Sequence, residues 1–548
     1  MKKGEQHMMD LVTVSQMITL EREANERGFG YDQMMMNAGS ALEEVIQERY
    51  GHTQSRNILG LIGSGNNGGD TLIALSKLIE KGWNAAAYLV KKRKKNDPLV
   101  LSIIKNNGQV ISIDDDASFD ELRELIKKSD VVLDGILGTG FNLPLKEAIS
   151  TTLQVFSEFD NLPEIVAVDC PSGVDCDTGK TAEEALHANL TVCMAAIKKG
   201  LLKFPAFEHV GEIVVVDIGL PKNLLEFKNI HTFVVDQDMV RITLPARPLD
   251  AHKGTFGTCM IVGGSTNYCG AVLLSAESAY RIGAGLVRAA IPGAIYDAIS
   301  GQLPECTWIV LPHSMGVINI TASAVIQENL DRVSAMLIGP GIGQEKETQD
   351  FLKDLLQFGE THTRKAAIGF SGQSKIVEKT KCLNQLALVF DADALKLLPN
   401  IKTWYQMLKQ MAVLTPHPGE MAVLTGLTID EVQKDREGVA KKFSAKWGHV
   451  VVLKGAVTII ASPDGRAAFI PIATPALASA GTGDVLSGMI TGLIAQGMNA
   501  FDAAVAGAWI HARAGVAAAK KQGQTISVTA SDVIGQIPYV LKDITGTN

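Results

Sequence analysis

One segment near the end of the chain combines a run of small residues with a carboxylate. Ser479–Asp484 has the sequence Ser-Ala-Gly-Thr-Gly-Asp and opens an apolar helical pattern that starts at Val485. Backbone N–H groups of small residues at a helix start form a site for a phosphate group. A carboxylate in the first helical turn is then placed to take a proton from a hydroxyl facing that phosphate. We therefore predict that residues 481–483 bind phosphate and that Asp484 is a catalytic base; an ordinary helix start capped by the aspartate is the alternative.

Four further motifs in the same half of the chain each join an apolar strand to a turn rich in glycine or proline. They are Gly339–Gly343, Asp391–Ala394, Thr415–Glu420 and Lys454–Thr458. Because the carboxyl ends of parallel strands meet at one edge of a sheet, we expect these motifs to form one cleft with Asp484. His417 stands between two prolines, which hold its ring out for ligand contact; a packed or surface imidazole is the alternative.

In the first half of the chain, Gly63–Gly68 matches the dinucleotide-binding pattern G-x-G-x-x-G after an apolar strand. The NAD version of that site needs an acidic residue about 20 residues later, at the end of the second strand. Here the strand that ends in Tyr88–Val90 is followed by lysines. The pattern therefore does not predict a hydride-transfer site.

Three patches at strand ends in this half carry oxygen donors. They are the pair Asn66 and Asn67, Asp134 ahead of Gly138–Gly140, and Asp169 ahead of Pro171–Asp175. Several oxygen donors without His or Cys suit a hard cation bound partly through carbonyl groups. Tight turns and helix caps explain any single patch equally well, but they explain three patches at one edge less well.

Short apolar strands alternate with helical stretches from Asn57 to Ile218, and the alternation resumes at Cys259. Strands that are apolar throughout are buried on both faces, and the intervening helices make them parallel. The predicted fold class is α/β, with an N-terminal Rossmann-like doubly wound sheet and a second α/β unit that ends in an Ala-rich helix over 503–520. The proline cluster Leu244–Pro248 and the lapse in periodicity before it place the boundary near residue 235, giving domains 1–235 and 236–548.

The composition excludes several classes of protein. The chain has 548 residues, 46% of them hydrophobic and 20% charged, with a formal net charge of −8. These values predict compact cores and disfavour a nucleic-acid binder or an anionic-membrane binder. No apolar run reaches the roughly 18 residues of a membrane span, and the polar start Met1–His7 precedes no signal-peptide core, so a cytoplasmic protein is expected.

The cysteines and one basic run remain to be assigned. The seven cysteines contain no Cys-x-x-Cys pair and are expected to be reduced, mostly buried thiols without a zinc site. They are Cys170, Cys176, Cys193, Cys259, Cys269, Cys306 and Cys382. The run Lys91–Lys95 is either a solvated loop or a phosphate clamp, and the sequence leaves its role open.

Taken in order, these motifs resemble those of known enzyme families. Residues 10–225 resemble the epimerase domain of the NAD(P)H-hydrate repair enzymes, through Asn66–Asp70, Asp134–Gly140 and Asp169–Gly173. Residues 240–540 resemble the ribokinase-like carbohydrate kinases and, more closely, their hydrate dehydratase branch. That second likeness rests on the motifs above together with His252–Gly257, Gly270–Ala271 and Gly283–Val287.

The resemblance implies ligands and site residues. It implies a K⁺ ion near Asn67, Asp134 and Ser172, and Mg²⁺ with ADP as the preferred phosphoryl donor in the second domain. The hydrate would contact Asn66, Asn67, Gly68, Gly69, Asp70, Gly138, Thr139, Gly140, Phe141, Asn142, Leu143 and Pro144 in the first domain, and Ala271, Gly341 and His417 in the second. The nucleotide would contact Lys454, Gly455, Ala456, Val457, Thr458, Gly481, Thr482 and Gly483. It also implies a homo-oligomer, a tetramer by resemblance, with no nucleic-acid or membrane partner.

The residues and the resemblance together predict two reactions. Asp169 would act as acid and base in the epimerisation of R- and S-hydrates of NADH or NADPH at C6. Asp484 would deprotonate the C6 hydroxyl for phosphorylation, and elimination of the phosphate would restore the nicotinamide cofactor. Two alternatives stay open: a vitamin or sugar kinase with a regulatory N-terminal domain, and a first domain that only binds nucleotide-like ligands or protein partners.

Overall fold

The computed structural model of the chain describes residues 9–52, 55–358 and 383–546. These residues form two compact units, which divide between Phe233 and Val234. Within the described ranges, no helix has the length and apolar character needed to cross a lipid bilayer. The segment Met1–His7 and the predicted thiol of Cys382 lie outside the described residues.

The first unit is built around a parallel sheet. Its strands are β1 (Met9–Val12), β2 (Asn57–Ile62), β3 (Asn84–Leu89), β4 (Gln109–Ser112), β5 (Val131–Gly135), β6 (Glu164–Val168), β7 (Leu190–Met194), β8 (Ile197–Lys198) and β9 (Glu212–Val216). Seven of them pair in the order β4-β3-β2-β5-β6-β7-β9, all parallel, and β1 pairs with β8. The order reverses at β2, so the crevice beside the carboxyl ends of β2 and β5 is the expected ligand site.

Helices cover both faces of this sheet. They are α1 (Val14–Glu26), α2 (Tyr31–Tyr50), α3 (Asn66–Glu80), α4 (Pro98–Lys105), α5 (Asp120–Lys128) and α6 (Glu147–Gln154). Successive residues of β5 enter different hydrophobic clusters: Val131 and Leu133 belong to one, Val132 to the other. Because side chains alternate across a strand, the two clusters lie on opposite faces of the sheet. The uniformly apolar strands follow from this double burial.

The second unit is also a largely parallel sheet. After β10 (Thr232–Val234) its strands are β11 (Thr258–Val262), β12 (Leu286–Pro292), β13 (Thr307–Leu311), β14 (His313–Ser314), β15 (Val317–Ile318), β16 (Ala335–Ile338), β17 (Ala387–Phe390), β18 (Val413–Leu414), β19 (Val450–Leu453), β20 (Thr458–Ala461) and β21 (Ala467–Ile470). The order β13-β12-β11-β16-β17-β18-β19 is parallel, β20 and β21 extend it antiparallel, and β14 and β15 form a separate antiparallel pair. Here the order reverses between β11 and β16.

The helices of the second unit place the predicted phosphate site. They are α7 (Gln237–Thr243), α8 (Cys269–Arg281), α9 (Tyr296–Ile299), α10 (Ala322–Glu328), α11 (Lys346–Phe358), α12 (Asp393–Leu397), α13 (Trp404–Met407), α14 (Pro418–Thr425), α15 (Ile429–Lys434), α16 (Arg436–Trp447), α17 (Thr482–Ala495), α18 (Ala500–Gln522) and α19 (Ala530–Thr545). Almost every residue of α17 is buried. A Cβ on Gly488 would lie 2.3 Å from the Ser275 carbonyl oxygen of α8, so only glycine allows these two helices to pack this closely.

The predicted α/β class and its strands are confirmed. The apolar runs ending at Ile62, Val168 and Leu453 are parallel strands, and the Ala-rich stretch lies within the longer α18. The strands β4, β7, β12 and β13 were not predicted. Several of these carry polar residues or lie at a sheet edge, where the apolar run is weaker.

Candidate functional site

A cavity of about 440 Å³ lies at the switch point of the first unit, beside the carboxyl ends of β2 and β5. It brings together residues from three separate motifs of the sequence. Those among the predicted substrate contacts that line it are Asn66, Asn67, Asp70, Gly138, Thr139, Gly140 and Asp169. Apolar side chains of α2, among them Met34 and Met35, complete the wall. The cavity therefore has a polar floor at the sheet edge and an apolar side.

The turn between β2 and α3 needs glycine for a close backbone approach. A Cβ on Gly68 would lie 2.2 Å from the carbonyl oxygen of Gly63, so a side chain at this position would displace the turn. Arg93 holds the same turn from outside, because its guanidinium donates to the Gly63 oxygen over 2.7 Å and to Asp97 over 2.7 Å. The middle of the basic run therefore has a structural role, while Lys91 lines the cavity.

Asp169 is held in an uncommon conformation at the end of β6. Its φ is +67°, a left-handed backbone that a non-glycine residue rarely adopts. The buried ammonium group of Lys198 pairs with its carboxylate, and Met194 N donates to the same oxygen over 2.9 Å. Burial alone would lower the pKa of Lys198, but the charge of Asp169, its hydrogen bond and the nearby thiols of Cys193 and Cys170 together outweigh burial and raise that pKa. The pairing of Lys198 with Asp169 cannot be predicted, because nothing in the sequence distinguishes Lys198 from the neighbouring Lys199.

Two further carboxyl groups, from Glu21 of α1 and Asp70 of α3, line the cavity. Burial raises the pKa of Asp70 well above its usual value, and the charges of Asp169 and Glu21 add to this effect while Lys198 opposes it. Burial also raises the pKa of Glu21. Asp70 was predicted only as a substrate contact, and Glu21 was missed because it lies mid-helix, with no strand end or glycine turn beside it.

The three residues predicted as K⁺ ligands lie at adjacent strand ends. Both the hydroxyl and the backbone N–H of Ser172 donate to the carboxylate of Asp134, the latter over 2.7 Å. Leu137 N donates to the Ser172 hydroxyl oxygen over 2.9 Å. The side-chain amide of Asn67 lies within hydrogen-bond distance of the Leu137 and Val168 carbonyl oxygens.

This donor set fits a hard monovalent cation. The carboxylate of Asp134 is fully buried, and burial raises its pKa despite the hydrogen bonds from Ser172. In the described part of the chain, no lysine or arginine pairs with it, so a bound cation would supply the missing charge. The surrounding donors are oxygens, which hard cations prefer. No group of three or more His, Cys, Asp or Glu side chains suited to a metal occurs among the described residues.

The remaining predicted contacts of the first unit have other positions. Gly68 and Gly69 are buried in the first turn of α3, where a Cβ on Gly69 would lie 2.6 Å from the Met35 sulfur. Phe141, Asn142, Leu143 and Pro144 belong to the loop between β5 and α6. Their contact with substrate stays a prediction.

In the second unit, α17 begins at the predicted phosphate site. Gly481 is the N-cap residue with φ +89°, and the hydroxyl of Thr482 donates to the Leu477 and Ser479 carbonyl oxygens, each over 2.9 Å. Ser275 Oγ of α8 donates to the Asp484 carbonyl oxygen over 3.0 Å, which fixes the first turn. Burial, and after it the charge of Asp391, raise the pKa of Asp484 to about 7. A carboxyl group with this pKa suits a general base at neutral pH.

Lys454 lies among carboxylates next to this turn. Its ammonium nitrogen is 2.9 Å from Asp391 Oδ1 and 3.6 Å from Glu420 Oε2. A Cβ on Gly483 would lie 3.4 Å from the same nitrogen, so the ammonium group borders the helix start. Burial works to lower the pKa of Lys454, but Asp391 and Glu420 outweigh it and raise that pKa. The site therefore holds a permanent positive charge beside the free N–H groups of α17.

These acids also fit Mg²⁺ bound mainly through phosphates. Mg²⁺ at nucleotide sites uses one or two protein carboxylates and fills its other positions with phosphate oxygens and water. Asp391 and Glu420 provide two carboxylates beside Lys454. Glu420 and Asp391 lie in two of the motifs described above, but the sequence indicates no specific role for either of them.

His417 has two roles at the start of α14. Its Nδ1 accepts from the N–H groups of Gly419 and Glu420, so the ring caps the helix, and the Glu420 carboxylate accepts from His417 N. Its side chain is 52% exposed, and Nε2 lies 3.4 Å from Glu420 Oε1. Contact between the His417 ring and a ligand stays a prediction. The capping role was not predicted, because Ser, Thr, Asp and Asn are the usual cap residues.

The other predicted contacts are also placed. Ala271 and Gly341 are neighbours, because a Cβ on Gly341 would lie 3.1 Å from that of Ala271. The Lys454–Thr458 segment joins β19 to β20, and Arg436 of α16 holds it. The guanidinium of Arg436 donates to the carbonyl oxygens of Leu453, Lys454 and Val457 over 3.0 to 3.3 Å. The sequence did not predict Arg436.

Among the described cysteines, the thiols are free and, apart from that of the half-buried Cys269, buried. The expectation of reduced, mostly buried thiols is confirmed for those residues. Burial raises the pKa of Cys170, Cys193, Cys259 and Cys306, so these thiols are un-ionised. For Cys170, a hydrogen bond with Cys176 is the larger cause.

The fold and the two sites are those of an α/β enzyme with two candidate centres: an acid-lined cavity in one unit, and a helix start beside a raised-pKa aspartate in the other. Family models agree with this class. Residues 259–539 match NAD(P)H-hydrate dehydratase, and residues 31–200 match the YjeF-related protein N-terminus. The chain belongs to the family of bifunctional NAD(P)H-hydrate repair enzymes.

Individual relatives span nearly the whole chain. It is 33% identical over 543 residues to the bifunctional NAD(P)H-hydrate repair enzyme Nnr of Moorella thermoacetica, covering 98% of this chain and 97% of that protein. The enzyme of the same name from Escherichia coli is 30% identical over 535 residues, with coverages of 96% and 93%. The crystal structure of the ADP/ATP-dependent NAD(P)H-hydrate dehydratase from Bacillus subtilis, co-crystallised with ATP and Mg²⁺, is 28% identical, covers 57% of this chain and 98% of its own, and has a TM-score of 0.44.

Proposed function

We propose that the chain repairs hydrated NADH and NADPH in two steps, epimerisation of the R- and S-hydrates at C6 in the first unit and nucleotide-dependent dehydration of the S-hydrate in the second. Membership of the repair-enzyme family supports both activities. The observation that carries the assignment is the pairing, in one chain, of an acid-lined cavity with a phosphate site whose aspartate has a pKa of about 7.

In the first unit, the proposed reaction exchanges the configuration of the C6 hydroxyl. C6 is bonded to the ring nitrogen, so the hydroxyl departs once it is protonated, and water adds back after losing a proton. Asp169 is the proposed acid and base, since its carboxylate lines the cavity and is oriented by Lys198 and by Met194 N. Asn66, Asn67, Gly138 and Thr139 would surround the ring and its amide.

K⁺ is proposed to bind at Asn67, Asp134 and Ser172, where it would neutralise the buried carboxylate and draw the strand ends together. The residues themselves position the loop that carries Asp169, because Ser172 follows it by three residues and bonds to Asp134. The cation's role is therefore proposed to be structural for the epimerase centre.

In the second unit, the proposed reaction begins as a kinase reaction. Asp484 takes the proton of the C6 hydroxyl, whose oxygen attacks the terminal phosphorus of ADP or ATP, while Lys454 and the N–H groups of 481–483 receive the negative charge. The nucleotide leaves one phosphate shorter. The C6–O bond then breaks with its electron pair on the phosphate as the ring nitrogen lone pair forms a C=N bond. The departing phosphate takes a proton from C5, the C5–H electron pair forms the C5=C6 bond, and the C=N pair returns to nitrogen to give the dihydronicotinamide of NADH or NADPH. Mg²⁺ would supply charge neutralisation between the phosphates and the carboxylates of Asp391 and Glu420.

His417, Ala271 and Gly341 are proposed to contact the hydrate, and Lys454–Thr458 the nucleotide. The His417 side chain is about half exposed, and Ala271 and Gly341 adjoin each other at the start of α8. ADP is the proposed phosphoryl donor, with ATP as the competitor to compare directly.

One assay tests the dehydration directly. Purified S-hydrate of NADH is incubated with the protein, Mg²⁺ and either ADP or ATP, and the return of absorbance at the NADH band is followed with release of phosphate. The proposal expects one NADH and one phosphate for each nucleotide consumed. A stable phosphorylated product without NADH would identify a kinase instead.

The epimerase activity is tested on a separate readout. Pure R-hydrate is incubated without nucleotide, and the approach to the epimer mixture is followed by chromatography. The protein is expected to accelerate this approach, and Asp169→Asn to abolish the acceleration while nucleotide-dependent dehydration of S-hydrate continues. Folded Asp169→Asn protein with the full epimerisation rate would refute the assignment of Asp169.

A further inference from the structure

The epimerase cavity contains carboxyl groups that the mechanism above does not use. Glu21, Asp70 and Asp169 come from three different elements and line the same 440 Å³ space. Asp169 has a cationic partner in Lys198 and a backbone donor in Met194 N. Asp70 is only 6% exposed. Within the described ranges, no side chain or backbone N–H donates a hydrogen bond to its carboxyl group, and no lysine or arginine pairs with it.

The surroundings of the two aspartates differ. A buried carboxylate without a donor or a paired cation is costly, so the site of Asp70 favours its protonated form. Burial is the main reason that its pKa is raised, and the charges of Asp169 and Glu21 reinforce it. The other titratable groups around it are Lys198, which acts in the opposite direction, and Tyr31 of α2 and Lys91, which line the cavity. Asp169, by contrast, faces the Lys198 ammonium, which stabilises a negative charge on it.

Inversion at C6 requires a donor and an acceptor together. The departing hydroxyl needs a proton on one face of the ring, and the incoming water must lose one on the other face. A single carboxyl group would have to serve both faces in turn. Two carboxyl groups at one cavity, one with a cationic partner and one without, can provide the donor and the acceptor at the same time.

We infer that Asp70 is a second catalytic residue of the epimerase centre and works as the acid that complements Asp169. The inference rests on the proposed epimerase function and deepens it. Asp70 gives its proton to the C6 hydroxyl, the C6–O bond breaks with its electron pair on the departing water, and the ring nitrogen lone pair forms a C=N bond. A water then bonds to C6 from the other face and gives its proton to Asp169, while the C=N pair returns to nitrogen. Asp70 ends as a carboxylate and Asp169 as an acid, the state that converts the opposite epimer.

The test compares Asp70→Asn with the wild type over a range of pH. We expect kcat for epimerisation to fall by about 100-fold or more, with KM for the hydrate changed by less than about threefold, since general acids contribute about that much to rate. Wild-type epimerisation should decline at alkaline pH as Asp70 loses its proton, and the residual activity of Asp70→Asn should lack this decline. Asp114→Asn, an exposed acid paired only with Lys92 across 3.7 Å, is the matched control.

Each result has a definite meaning. Asp70→Asn protein that keeps kcat, or that loses only affinity, overturns the inference and leaves Asp70 as a binding residue. An alkaline decline that persists unchanged in Asp70→Asn overturns it as well. If Asp70→Asn fails to fold by thermal melting, Asp70→Glu replaces it, and an unshifted alkaline decline in that variant overturns the inference. A wild-type protein that does not accelerate epimerisation refutes the proposed function itself.

Discussion

The negative charge of Asp484 is expected to lower the free energy of unfolding of the second unit by a measurable amount. The side chain is half-buried at the start of α17, and its pKa is raised from 3.8 to about 7 by the loss of solvent around it and by the neighbouring Asp391. Asp484→Asn keeps nearly the same shape and cannot ionise. The substitution should therefore remove both the catalytic base and the cost of its charge.

The magnitude follows from the two pKa values. Between pH 3.8 and about 7 the folded state binds the proton more tightly than the unfolded state, so stability falls as the pH rises through this window. At about 1.4 kcal/mol for each pH unit, the ionised side chain lowers the free energy of unfolding by about 4 kcal/mol at pH 8. Relative to the wild type, Asp484→Asn is expected to gain stability progressively from pH 4 to pH 8, with 4 kcal/mol as an upper value.

The assay is chemical unfolding at pH 5 and pH 8, followed by tryptophan fluorescence. The second unit contains Trp308, Trp404, Trp447 and Trp509, so its transition dominates the signal. Dehydration is measured on the same samples and should fall by about 100-fold or more, and in the wild type it should rise with pH through about 7. Asp331→Asn, whose side chain is 85% exposed, is the control.

One pattern of results would refute this reasoning. If the free energy of unfolding of Asp484→Asn differs from that of the wild type by the same amount at pH 5 and pH 8, the charge of Asp484 does not destabilise the fold. If folded Asp484→Asn still dehydrates the hydrate with nucleotide, Asp484 is not the base.

Three further substitutions give distinct readouts. Arg436→Met removes the hydrogen bonds that hold the loop after β19. Since a hydrogen bond to a charged group contributes about 1.5 to 3 kcal/mol, KM for the nucleotide should rise by about tenfold or more, while epimerisation is unchanged. An unchanged KM would contradict the role of Arg436 in holding this loop. Asp134→Asn should remove any stimulation of epimerisation by KCl relative to NaCl, and stimulation that survives would exclude this K⁺ site. Lys198→Met leaves Asp169 buried without its cation, so thermal melting should show a loss of about 3 to 5 kcal/mol together with slower epimerisation; a melting curve like the wild type's would mean that the pair is not stabilising.

The strands and the candidate residues at their ends could be predicted because both depend on local sequence. A strand buried on both faces is apolar at every position, and the turn after it contains the glycines and acids that face a ligand. Asp169 and Asp484 were found in this way, and the structure places each at such a turn. Their catalytic roles stay predictions.

The residues that orient those acids could not be predicted. Lys198 lies 29 positions after Asp169, and Arg436 lies 18 positions before the carbonyl of Lys454. Their pairing depends on which strands become neighbours. The sequence around Lys198 and Arg436 does not distinguish them from lysines and arginines exposed to solvent. The same holds for Asp70, whose raised pKa comes from burial and from charges on two other elements.

The glycine contact between α17 and α8 also determines how the second unit responds to its ligand. With Gly488 seated against the backbone of Ser275, the helix that presents the N–H groups has no room to shift. Nucleotide binding would then cause little movement of α17 and α8. Any conformational change on binding would occur in the loops on the other side of the cleft. Gly488→Ala should therefore weaken nucleotide binding, although position 488 lies about ten ångströms along α17 from the helix start.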